Sequence, residues 1–368
     1  MKRILHIVGA MDRAGAETMI MNLYRVIDRT QIQFDFLYFT SKKCDFDEEI
    51  KELGGKIYRI KKSNPINRMF ATKKLLLENK HWTTVHVHNL FSNAFHIYAA
   101  YKAGVKQRIS HSHTINTQFS NKIINTVYPY LSRITQNKYA TDFVACSSEA
   151  GKFMFKKEKG VQVLNNSIDS SYFAEISKTN KNYIKEQFNV EDDTLVILQL
   201  GRLCKAKNHQ FSIQIASQLK KKNVKFKMFF AGEGMLLKEL KEQVKELSLE
   251  NEIVFLGLRT DVSYLLAGAD LMLMPSLFEG FGVVLIEAQA SGIPSLISNT
   301  IPTDSDVGLN LINVNSLEES ASIWANSIVE VYEKGIKVTP EKRLAKLKEA
   351  GYDVHTNIKI LSKLYKSI

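Results

Sequence analysis

The sequence predicts two consecutive α/β domains, each with a parallel β-sheet covered by helices on both faces. Its 368 residues are enough for two domains that each bury a core of their own. Short apolar runs alternate with amphipathic helical stretches, and this alternation starts afresh after a polar, Asn- and Ser-rich segment at 165–169. Strands that alternate with helices are typical of parallel sheets, so the restart indicates a second sheet.

The first domain is predicted to span 1–167 and to follow the strand–helix pattern from its first residues. Apolar runs place strands at 4–8, 34–39, 84–87, 108–110 and 142–145. Amphipathic stretches place helices at 16–28, 93–104 and 119–138.

The second domain is predicted to span 168–350, and 351–368 is predicted as a helix that packs back toward the first domain. Strands are expected at 195–200, 226–231, 253–256, 271–274 and 295–297, and helices at 209–222, 235–247, 283–291 and 316–333. Because Asn and Ser clusters mark turns, the stretch from 165 to about 193 is predicted as a hinge followed by a polar connection.

The formal net charge of +12 is unevenly distributed along the chain. Residues 1–170 contain 26 Lys and Arg against 14 Asp and Glu, whereas 171–368 contain 24 of each. A basic first half favours an anionic partner such as acidic lipid or a phosphorylated substrate; the alternative is a solvated lysine-rich surface. A nucleic-acid binder is not favoured, because no recognition motif accompanies the charge.

Cysteine spacing and hydropathy limit the class of protein further. Cys44, Cys146 and Cys204 are too scattered for a disulfide framework or a metal site, which favours a reducing compartment. The apolar run at 4–8 is too short for a signal peptide, and no uncharged apolar run reaches the ~18 residues that a membrane span needs.

Residues 275–294, with the sequence PSLFEGFGVVLIEAQASGIP, are the most informative segment. They follow a buried strand with a loop that contains Gly280 and Gly282, and a helix is expected to begin near Val283. Glycines allow close approach of a ligand, and a helix N-terminus presents free N–H groups that suit a diphosphate. Glu279 precedes this helix and Glu287 lies inside it.

A second segment, LGRLCKAKN at 200–208, also joins a predicted strand to a predicted helix. It brings Arg202 and Lys207 to the start of the second domain. A guanidinium offers paired directional donors and an ammonium offers a point charge, so both suit a phosphate group.

Together these segments resemble the retaining family-4, or group 1, glycosyltransferases. Within that family they are similar to the enzymes of bacterial capsule and exopolysaccharide synthesis. Glu279 and Glu287 match the E-x7-E motif of that family, and 200–208 matches its G-R-L-x-x-x-K-N segment. The resemblance implies the GT-B fold, in which two Rossmann-like α/β/α domains face each other across a cleft.

The same resemblance implies the roles of particular residues. Arg202 and Lys207 would hold the donor diphosphate, Glu279 would orient hydroxyls of the donor sugar, and Glu287 would bind the ribose hydroxyls. The implied catalytic residues are Glu279, His113, Arg202 and Lys207. Further donor contacts are implied at Gly15, Gly201, Gly234, Leu258, Gly280, Phe281, Gly282 and Val283.

Histidines recur in alternation on two predicted strands of the first domain. His111 and His113 point to the same side of one strand, and the family places a histidine near this strand end against the transferred sugar. His113 aligns best with that residue and His111 is the second choice. His86 and His88 form another pair, but with no Cys or acidic residue nearby in sequence a zinc site is not favoured.

The resemblance implies transfer of a hexosyl or N-acetylhexosaminyl group without any metal or cofactor. The donor is expected to be a nucleotide-sugar, UDP-linked by family frequency, and the acceptor a glycan or a polyprenyl-diphosphate-linked sugar. The Asp-x-Asp strings at 45–47 and 304–306 do not follow buried strands convincingly, so a metal pair is not expected there. The mixed apolar and basic helix within 116–139 could lie on an anionic membrane or in the core. The expected location is cytoplasmic, as a peripheral protein at the inner face of the bacterial cell membrane.

Two other classes of protein remain as alternatives. A nucleotide-dependent oxidoreductase would need a complete G-x-G-x-x-G and a distant acidic residue, and FAGEG at 230–234 lacks the third glycine. A non-catalytic nucleotide-sugar-binding module would keep the fold, but the presence of Glu279, Arg202 and Lys207 favours an enzyme.

Overall fold

A computed structural model describes residues 1–62, 64–114, 122–157, 160–279, 282–302 and 305–366, with the side chains of 122–125 outside the description. The chain divides into two compact units. The first consists of Met1–Ile168 together with Gly351–Ile368, and the second of Asp169–Ala350.

The first unit is built on seven parallel strands in the order β3-β2-β1-β4-β5-β6-β7. The strands are β1 (Lys2–Ile7), β2 (Ile32–Tyr38), β3 (Ile57–Arg59), β4 (Thr84–Val87), β5 (Gln107–Ser112), β6 (Asp142–Ala145) and β7 (Val161–Val163). The helices are α1 (Gly15–Val26), α2 (Asp47–Glu52), α3 (Pro65–Glu78), α4 (Asn93–Lys102), α5 (Lys122–Tyr139) and α6 (Ser148–Phe155).

The second unit has six parallel strands in the order β10-β9-β8-β11-β12-β13. These are β8 (Leu195–Leu200), β9 (Phe226–Ala231), β10 (Ile253–Gly257), β11 (Leu271–Met274), β12 (Ser295–Ser298) and β13 (Ile312–Asn315). Its helices are α7 (Ser170–Thr179), α8 (Tyr183–Phe188), α9 (His209–Lys221), α10 (Leu237–Glu246), α11 (Val262–Gly268), α12 (Val283–Ser291), α13 (Ala321–Lys334) and α14 (Pro340–Glu349).

The last helix, α15 (Val354–Lys366), belongs to the first unit. Tyr365 is fully buried beside Phe34 of the sheet, and its carbonyl accepts a hydrogen bond of 2.6 Å from the ammonium of Lys2. The end of the chain is therefore part of the core that covers one face of the first sheet.

Both sheets are covered on both faces, as the alternation of side chains along their central strands shows. On β8, Leu195 and Ile197 enter one buried cluster, while Val196 and Leu198 enter the other. Full burial of such a side chain stabilises the fold by about 1.5–3 kcal/mol. Strands that are buried on both faces have nearly continuous apolar sequences, which explains the run LVILQL in β8.

Strand order creates one switch point in each unit, where successive connections leave in opposite directions. It lies between β1 and β4 in the first unit and between β8 and β11 in the second. In open α/β sheets, ligands bind outside the carboxyl ends of the strands at such a point. The loops that leave β8 and β11 are the two segments whose sequences are most informative.

The polar connection predicted between 165 and about 193 is wrong, because α7 and α8 occupy most of it. The side chain of Asp169 accepts a hydrogen bond of 3.0 Å from the backbone N–H of Tyr172 and so caps α7. Asn, Ser and Asp favour helix N-caps as well as turns, so this cluster marks a helix start. Similarly, α13 begins at Ala321 and not at 316, since Ser320 is its N-cap.

Candidate active site

The loops after β8 and β11 are joined by hydrogen bonds at the switch point of the second unit. The backbone N–H of Leu277 donates to the carbonyl of Ala206 at 2.8 Å, and the amide of Asn208 donates to the carbonyl of Pro275 at 3.0 Å. Segments that are about 70 residues apart in sequence are therefore held side by side.

Lys207 and Glu279 form an ion pair between these two loops. The Nζ of Lys207 lies 2.5 Å from Oε1 of Glu279, and the hydroxyl of Ser276 donates to the same oxygen at 2.8 Å. Their side chains are only 20% and 10% exposed. Water screens such a pair less than a surface pair, so its position is well defined before any ligand arrives.

The backbone carbonyl of Lys207 is held in place by two buried polar side chains, those of Gln199 and Ser212. Gln199 of β8 donates its amide N–H to the carbonyl of Lys207 at 2.8 Å, and its amide oxygen accepts from the hydroxyl of Ser212 at 2.7 Å. This arrangement satisfies the buried amide and fixes the short 3-10 turn at Lys205–Lys207. Gln199, Ser212 and Ser276 have no distinctive sequence pattern and were not predicted.

Gly201 and Gly234 are positions where only a glycine fits. Gly201 has φ +140°, and a Cβ there would lie 3.0 Å from Cε of Lys207. A Cβ on Gly234 would overlap the backbone of Leu203, which contacts the loop after β9. Gly234 therefore allows the loops after β8 and β9 to pack directly on each other, and Gly201 allows the side chain of Lys207 to lie close to the backbone of its own loop.

Arg202 belongs to the same loop as Lys207, but its environment is different. Its side chain is exposed, and its guanidinium makes no hydrogen bond or ion pair with any residue that the structure describes. The five N–H donors of the guanidinium are therefore available to a ligand.

The N-terminus of α12 lies in the same loop as Glu279. Gly282 has φ +73° and precedes Val283, the first helical residue, with no side chain capping the helix. The free N–H groups and the helix dipole, equivalent to about half a positive charge, suit an anion here. Gly280 and Phe281 lie outside the described residues.

Glu287 lies one turn inside α12, and its carboxyl group has an unusually high pKa. Burial raises the pKa of its carboxyl group from the ordinary value of 4.5 to about 7. A carboxyl group that is half-ionised near neutrality can accept hydrogen bonds in one state and donate one in the other.

A pocket of about 490 Å³ lies at the carboxyl ends of β9 and β10. Its lining includes Gly232, Glu233, Gly234 and Lys241, with Phe255 on one wall. Leu258 is the residue directly after β10 and is exposed. Arg259 forms a two-point ion pair with Asp261, with N–O distances of 2.8 and 2.6 Å.

The remaining predicted residues, Gly15 and His113, belong to the first unit. Gly15 begins α1, and a Cβ there would meet no atom within 4 Å, so the space above this helix start is open. His113 follows β5, and burial lowers the pKa of its imidazole to about 3. It is therefore neutral at physiological pH, with its Nε2 2.8 Å from Nδ1 of His88 and its Nδ1 without a partner among the described residues.

The Asp-x-Asp strings offer no free carboxylate pair in the described parts of the chain. Asp47 pairs with Arg59 at 2.5 Å, and Asp45 accepts a hydrogen bond from the backbone N–H of Arg13 at 3.0 Å. Asp306 accepts from the backbone of Gly308, while Asp304 lies outside the described residues.

Two Rossmann-like units in one chain, each with a switch point at the carboxyl ends of its strands, define the GT-B fold. HepE of Anabaena, solved in complex with UDP and glucose, has this fold: its TM-score is 0.77 at 19% identity, over 100% of both chains. Identity at that level shows the fold alone.

Sequence relatives establish the family. EpsF of Bacillus subtilis strain 168, assigned as a glycosyltransferase, is 36% identical over 99% of this chain and 96% of its own. The family described as "Glycosyl transferases group 1" matches residues 180–350. The chain belongs to the group 1 glycosyltransferases.

Two further relatives are named for a pathway or for a reaction. The capsular polysaccharide biosynthesis glycosyltransferase CapH of Staphylococcus aureus is 25% identical over 100% of this chain and 99% of its own. The UDP-Gal:alpha-D-GlcNAc-diphosphoundecaprenol alpha-1,3-galactosyltransferase of Escherichia coli is 27% identical over 61% of this chain and 59% of its own. In the part of the chain that the structure describes, every helix is too short or too polar to span a bilayer.

Proposed function

We propose that this enzyme transfers a hexosyl or N-acetylhexosaminyl group, with retention, from a UDP-sugar to a glycan or polyprenyl-diphosphate-linked acceptor of capsule or exopolysaccharide. The observation that carries the proposal is the Lys207–Glu279 pair at the switch point of the second unit. Glu279 lies in the loop that leads to the uncapped N-terminus of α12. The ammonium of Lys207 and this helix end together provide cationic donors where a nucleoside diphosphate is expected to leave.

The cationic groups can stabilise most of the leaving charge without a metal. The departing diphosphate carries about two negative charges. Lys207, Arg202 and the dipole of α12 supply about two and a half positive charges, and the carboxylate of Glu279 offsets about one of them. Donors fixed in advance need no reorganisation when charge develops, which is why they stabilise a transition state more than a ground state. Neither a metal nor an organic cofactor enters this mechanism.

Glu279 has two functions in this proposal. Its Oε1 holds the ammonium of Lys207, and its other oxygen remains to accept hydrogen bonds from hydroxyls of the donor sugar. Glu287 accepts hydrogen bonds from the ribose hydroxyls when its carboxyl group is ionised. The pocket beside β9 and β10, with Leu258 at its edge, takes the nucleoside end of the donor.

His113 is assigned to a hydrogen bond with the transferred sugar. Its low pKa keeps the imidazole neutral, so it adds no charge that would oppose an oxocarbenium-like transition state. In the transfer, the bond from the anomeric carbon to the phosphate oxygen breaks and a bond to the acceptor oxygen forms on the same face. The acceptor proton moves to the leaving phosphate oxygen, so that atoms and charges balance.

The donor and acceptor classes are supported by two comparisons. The galactosyltransferase of Escherichia coli is named for a UDP-sugar donor and a diphosphoundecaprenol acceptor, and HepE was solved with UDP. The capsule relative, CapH, supports a polysaccharide pathway.

Helix α5 supports association with an anionic membrane at the inner face of the cell membrane. Val127, Tyr130, Leu131 and Ile134 are all exposed, and their spacing of three and four residues places them in one stripe. The opposite face is buried through Ser132 and Gln136. An exposed apolar stripe on a helix of a basic unit suits a lipid surface that is apolar inside and anionic outside.

The direct test is a donor-hydrolysis and transfer screen over UDP-, GDP- and ADP-sugars, measuring the released nucleoside diphosphate in the presence of EDTA. We expect release from at least one UDP-sugar, retention of the anomeric configuration by NMR, and loss of release in Lys207→Ala. Binding of a UDP-sugar without release would favour the non-catalytic module. Thermal stabilisation by NAD(P)H but not by UDP-sugars would favour the oxidoreductase.

A further inference from the structure

Five histidines of the first unit lie together on one face of its sheet. His6 of β1 is the register partner of His86 of β4, and β4 pairs with β5 so that the residue after Val87 lies level with His111. His88 and His113 follow the carboxyl ends of these two strands. Two His-x-His alternations on neighbouring strands thus combine with a histidine from a third strand.

Hydrogen bonds link these rings to Tyr365 of α15 in two branches. In the first branch, Nε2 of His86 lies 3.1 Å from Nδ1 of His111, and Nδ1 of His86 lies 2.7 Å from the hydroxyl of Tyr365. This branch ends at Nε2 of His111, which is buried and has no partner among the described residues.

The second branch starts at the same hydroxyl. Nε2 of His6 lies 3.4 Å from it, and Nδ1 of His6 lies 3.0 Å from Nε2 of His88. Nδ1 of His88 then lies 2.8 Å from Nε2 of His113. This branch ends at Nδ1 of His113, also buried and without a partner in the described structure, and the rings of His111 and His113 stack at 3.9 Å.

The hydrogen-bonded network of these rings has one donor more than it has hydrogen bonds. Five neutral imidazoles and one phenol offer six donors for five hydrogen bonds. With all donors pointing one way, an N–H at His111 or His113 has no acceptor, and a buried unsatisfied N–H costs about 1–3 kcal/mol. If every histidine donates toward Tyr365, the five bonds remain and both terminal nitrogens present lone pairs. The donor without an acceptor among the described residues is then the hydroxyl of Tyr365.

We propose that His111 and His113, with His88 as the third ligand, form a binding site for a divalent transition-metal ion of the Zn²⁺ class. One ring nitrogen of each of the three lies within 4.8 Å of the others. Two lone pairs can turn toward an ion without the loss of any bond in the chain, and only the His88–His113 bond is exchanged for the third ligand bond. The metal site shares His113 with the proposed contact to the transferred sugar, so a bound ion and that contact exclude each other, whereas the cationic groups of the second unit are not involved.

The ligand chemistry selects the class of ion. Imidazole nitrogens suit Zn²⁺, Cu²⁺, Ni²⁺ and Fe²⁺ and not Mg²⁺ or Ca²⁺, which require oxygen ligands. Three protein ligands leave a fourth position for water, as in sites that are not purely structural. His86 and Tyr365 would orient His111 through its other nitrogen, which is the usual arrangement around a metal-binding imidazole.

The sequence did not favour zinc at His86 and His88 because no second ligand type lies nearby in the chain. The structure supplies the missing partners from β5, about 25 residues away, since register and not sequence distance sets which side chains meet. Parallel neighbours are separated by a crossover helix, so a metal motif built on them has no short spacing pattern.

The test is metal binding by the full-length protein after chelator treatment, with no nucleotide-sugar present. Binding of Co²⁺ is followed by its visible absorption and binding of Zn²⁺ by calorimetry. The proteins compared are the wild type, His111→Asn, His113→Asn and a matched control, His81→Asn. His81 is exposed and lies outside the cluster. We expect one ion per chain in the wild type and in His81→Asn. Each ligand variant should weaken metal binding by about 100-fold. Loss of an outer-shell partner already costs about 10- to 100-fold, and loss of a direct ligand should cost at least as much.

X-ray absorption of the Zn²⁺-loaded wild type provides a second measurement that needs no variant to fold. Imidazole-only coordination is expected, without sulfur. Absence of saturable binding in the wild type, a sulfur ligand, or equal affinity in folded ligand variants and His81→Asn would each overturn the proposal. Since turnover is not measured, failure here leaves the proposed transferase reaction untouched.

Discussion

The ammonium of Lys207 lies 2.5 Å from the Oε1 of Glu279, although the two residues come from loops that follow different strands. Each loop is fixed independently, by Gln199 beneath Lys207 and by Ser276 beside Glu279. The pair therefore presents one cation and one remaining carboxylate oxygen at a defined position. This is the arrangement needed to bind a phosphate and a sugar hydroxyl at adjacent points of one donor.

Replacement of Lys207 tests the cationic half of the pair. Lys207→Ala should reduce turnover by roughly 30- to 1000-fold, equivalent to about 2–4 kcal/mol, the usual cost of a lost charge-stabilising donor. It should also lower the thermal midpoint, because Glu279 then remains largely buried without its cation. Lys205→Ala, an exposed lysine of the same loop, is the control. Unchanged turnover in Lys207→Ala would count against the donor site.

Arg202 provides a contrast, since its guanidinium is exposed and has no partner among the described residues. We expect Arg202→Ala to reduce kcat/KM by a similar factor, about 2–4 kcal/mol, while leaving the thermal midpoint unchanged. Arg202→Lys should restore only part of the activity, because an ammonium cannot form paired hydrogen bonds with a diphosphate. A lowered midpoint with normal kinetics would mean that Arg202 has a structural role.

Much of the second unit could be predicted because its central strands are buried on both faces. The bounds of β8, β9 and β11 and the start of α12 at Val283 agree with those predicted from apolar runs and glycines. The edge strands β3, β7 and β13 were missed, since they have three or four residues and are only partly buried, so they lack an apolar signal. Edge strands need less apolar surface than central ones.

The candidate site was predicted less completely than the fold. Motif letters identified Lys207 and Glu279 but not their contact, which depends on strand order at the switch point. Tyr365 joins the histidines of the first unit from the far end of the chain, 359 residues from His6. Contacts of that range depend on the tertiary fold and have no local sequence signal.

Donor affinity should depend on pH through Glu287, whose pKa burial raises to about 7. Only the ionised carboxylate can accept hydrogen bonds from both ribose hydroxyls, so UDP affinity should increase as pH rises from about 6 to about 8. The raised pKa means that the folded protein binds this proton more tightly than the unfolded chain. The contribution of Glu287 to stability is therefore lost as pH rises from 4.5 to about 7 and changes little above that.

Calorimetry of UDP binding across this pH range, in the wild type and in Glu287→Gln, measures the effect. Glutamine has no titrating group, so its binding should be weak and follow only the ionisation of UDP itself. The same pH profile in both proteins would show that Glu287 does not contact the nucleotide.

The exposed stripe of α5 should determine binding to anionic liposomes. Leu131→Ser combined with Ile134→Ser removes two apolar side chains, each worth about 1.5–3 kcal/mol when buried, so flotation should decrease at least tenfold. Added salt should weaken binding of the wild type, because lysines supply the attraction to the headgroups. Met235→Ser in the second unit, where Met235 is 91% exposed, is the matched control. Salt-independent binding, or an equal loss in the control, would contradict membrane association through α5.

Turnover should need no metal ion at the donor site and should be inhibited by Zn²⁺ bound at the histidines of the first unit. EDTA should leave turnover unchanged, because Lys207, Arg202 and the start of α12 supply the positive charge at the diphosphate. Added Zn²⁺ should lower turnover, since coordination of His113 removes its imidazole from the hydrogen bond with the transferred sugar. In His111→Asn the ratio of activities with and without Zn²⁺ should move toward one, whereas His81→Asn should respond as the wild type does. Loss of activity in EDTA would contradict the metal-free donor site, and equal Zn²⁺ inhibition of wild type and His111→Asn would show that the ion acts elsewhere.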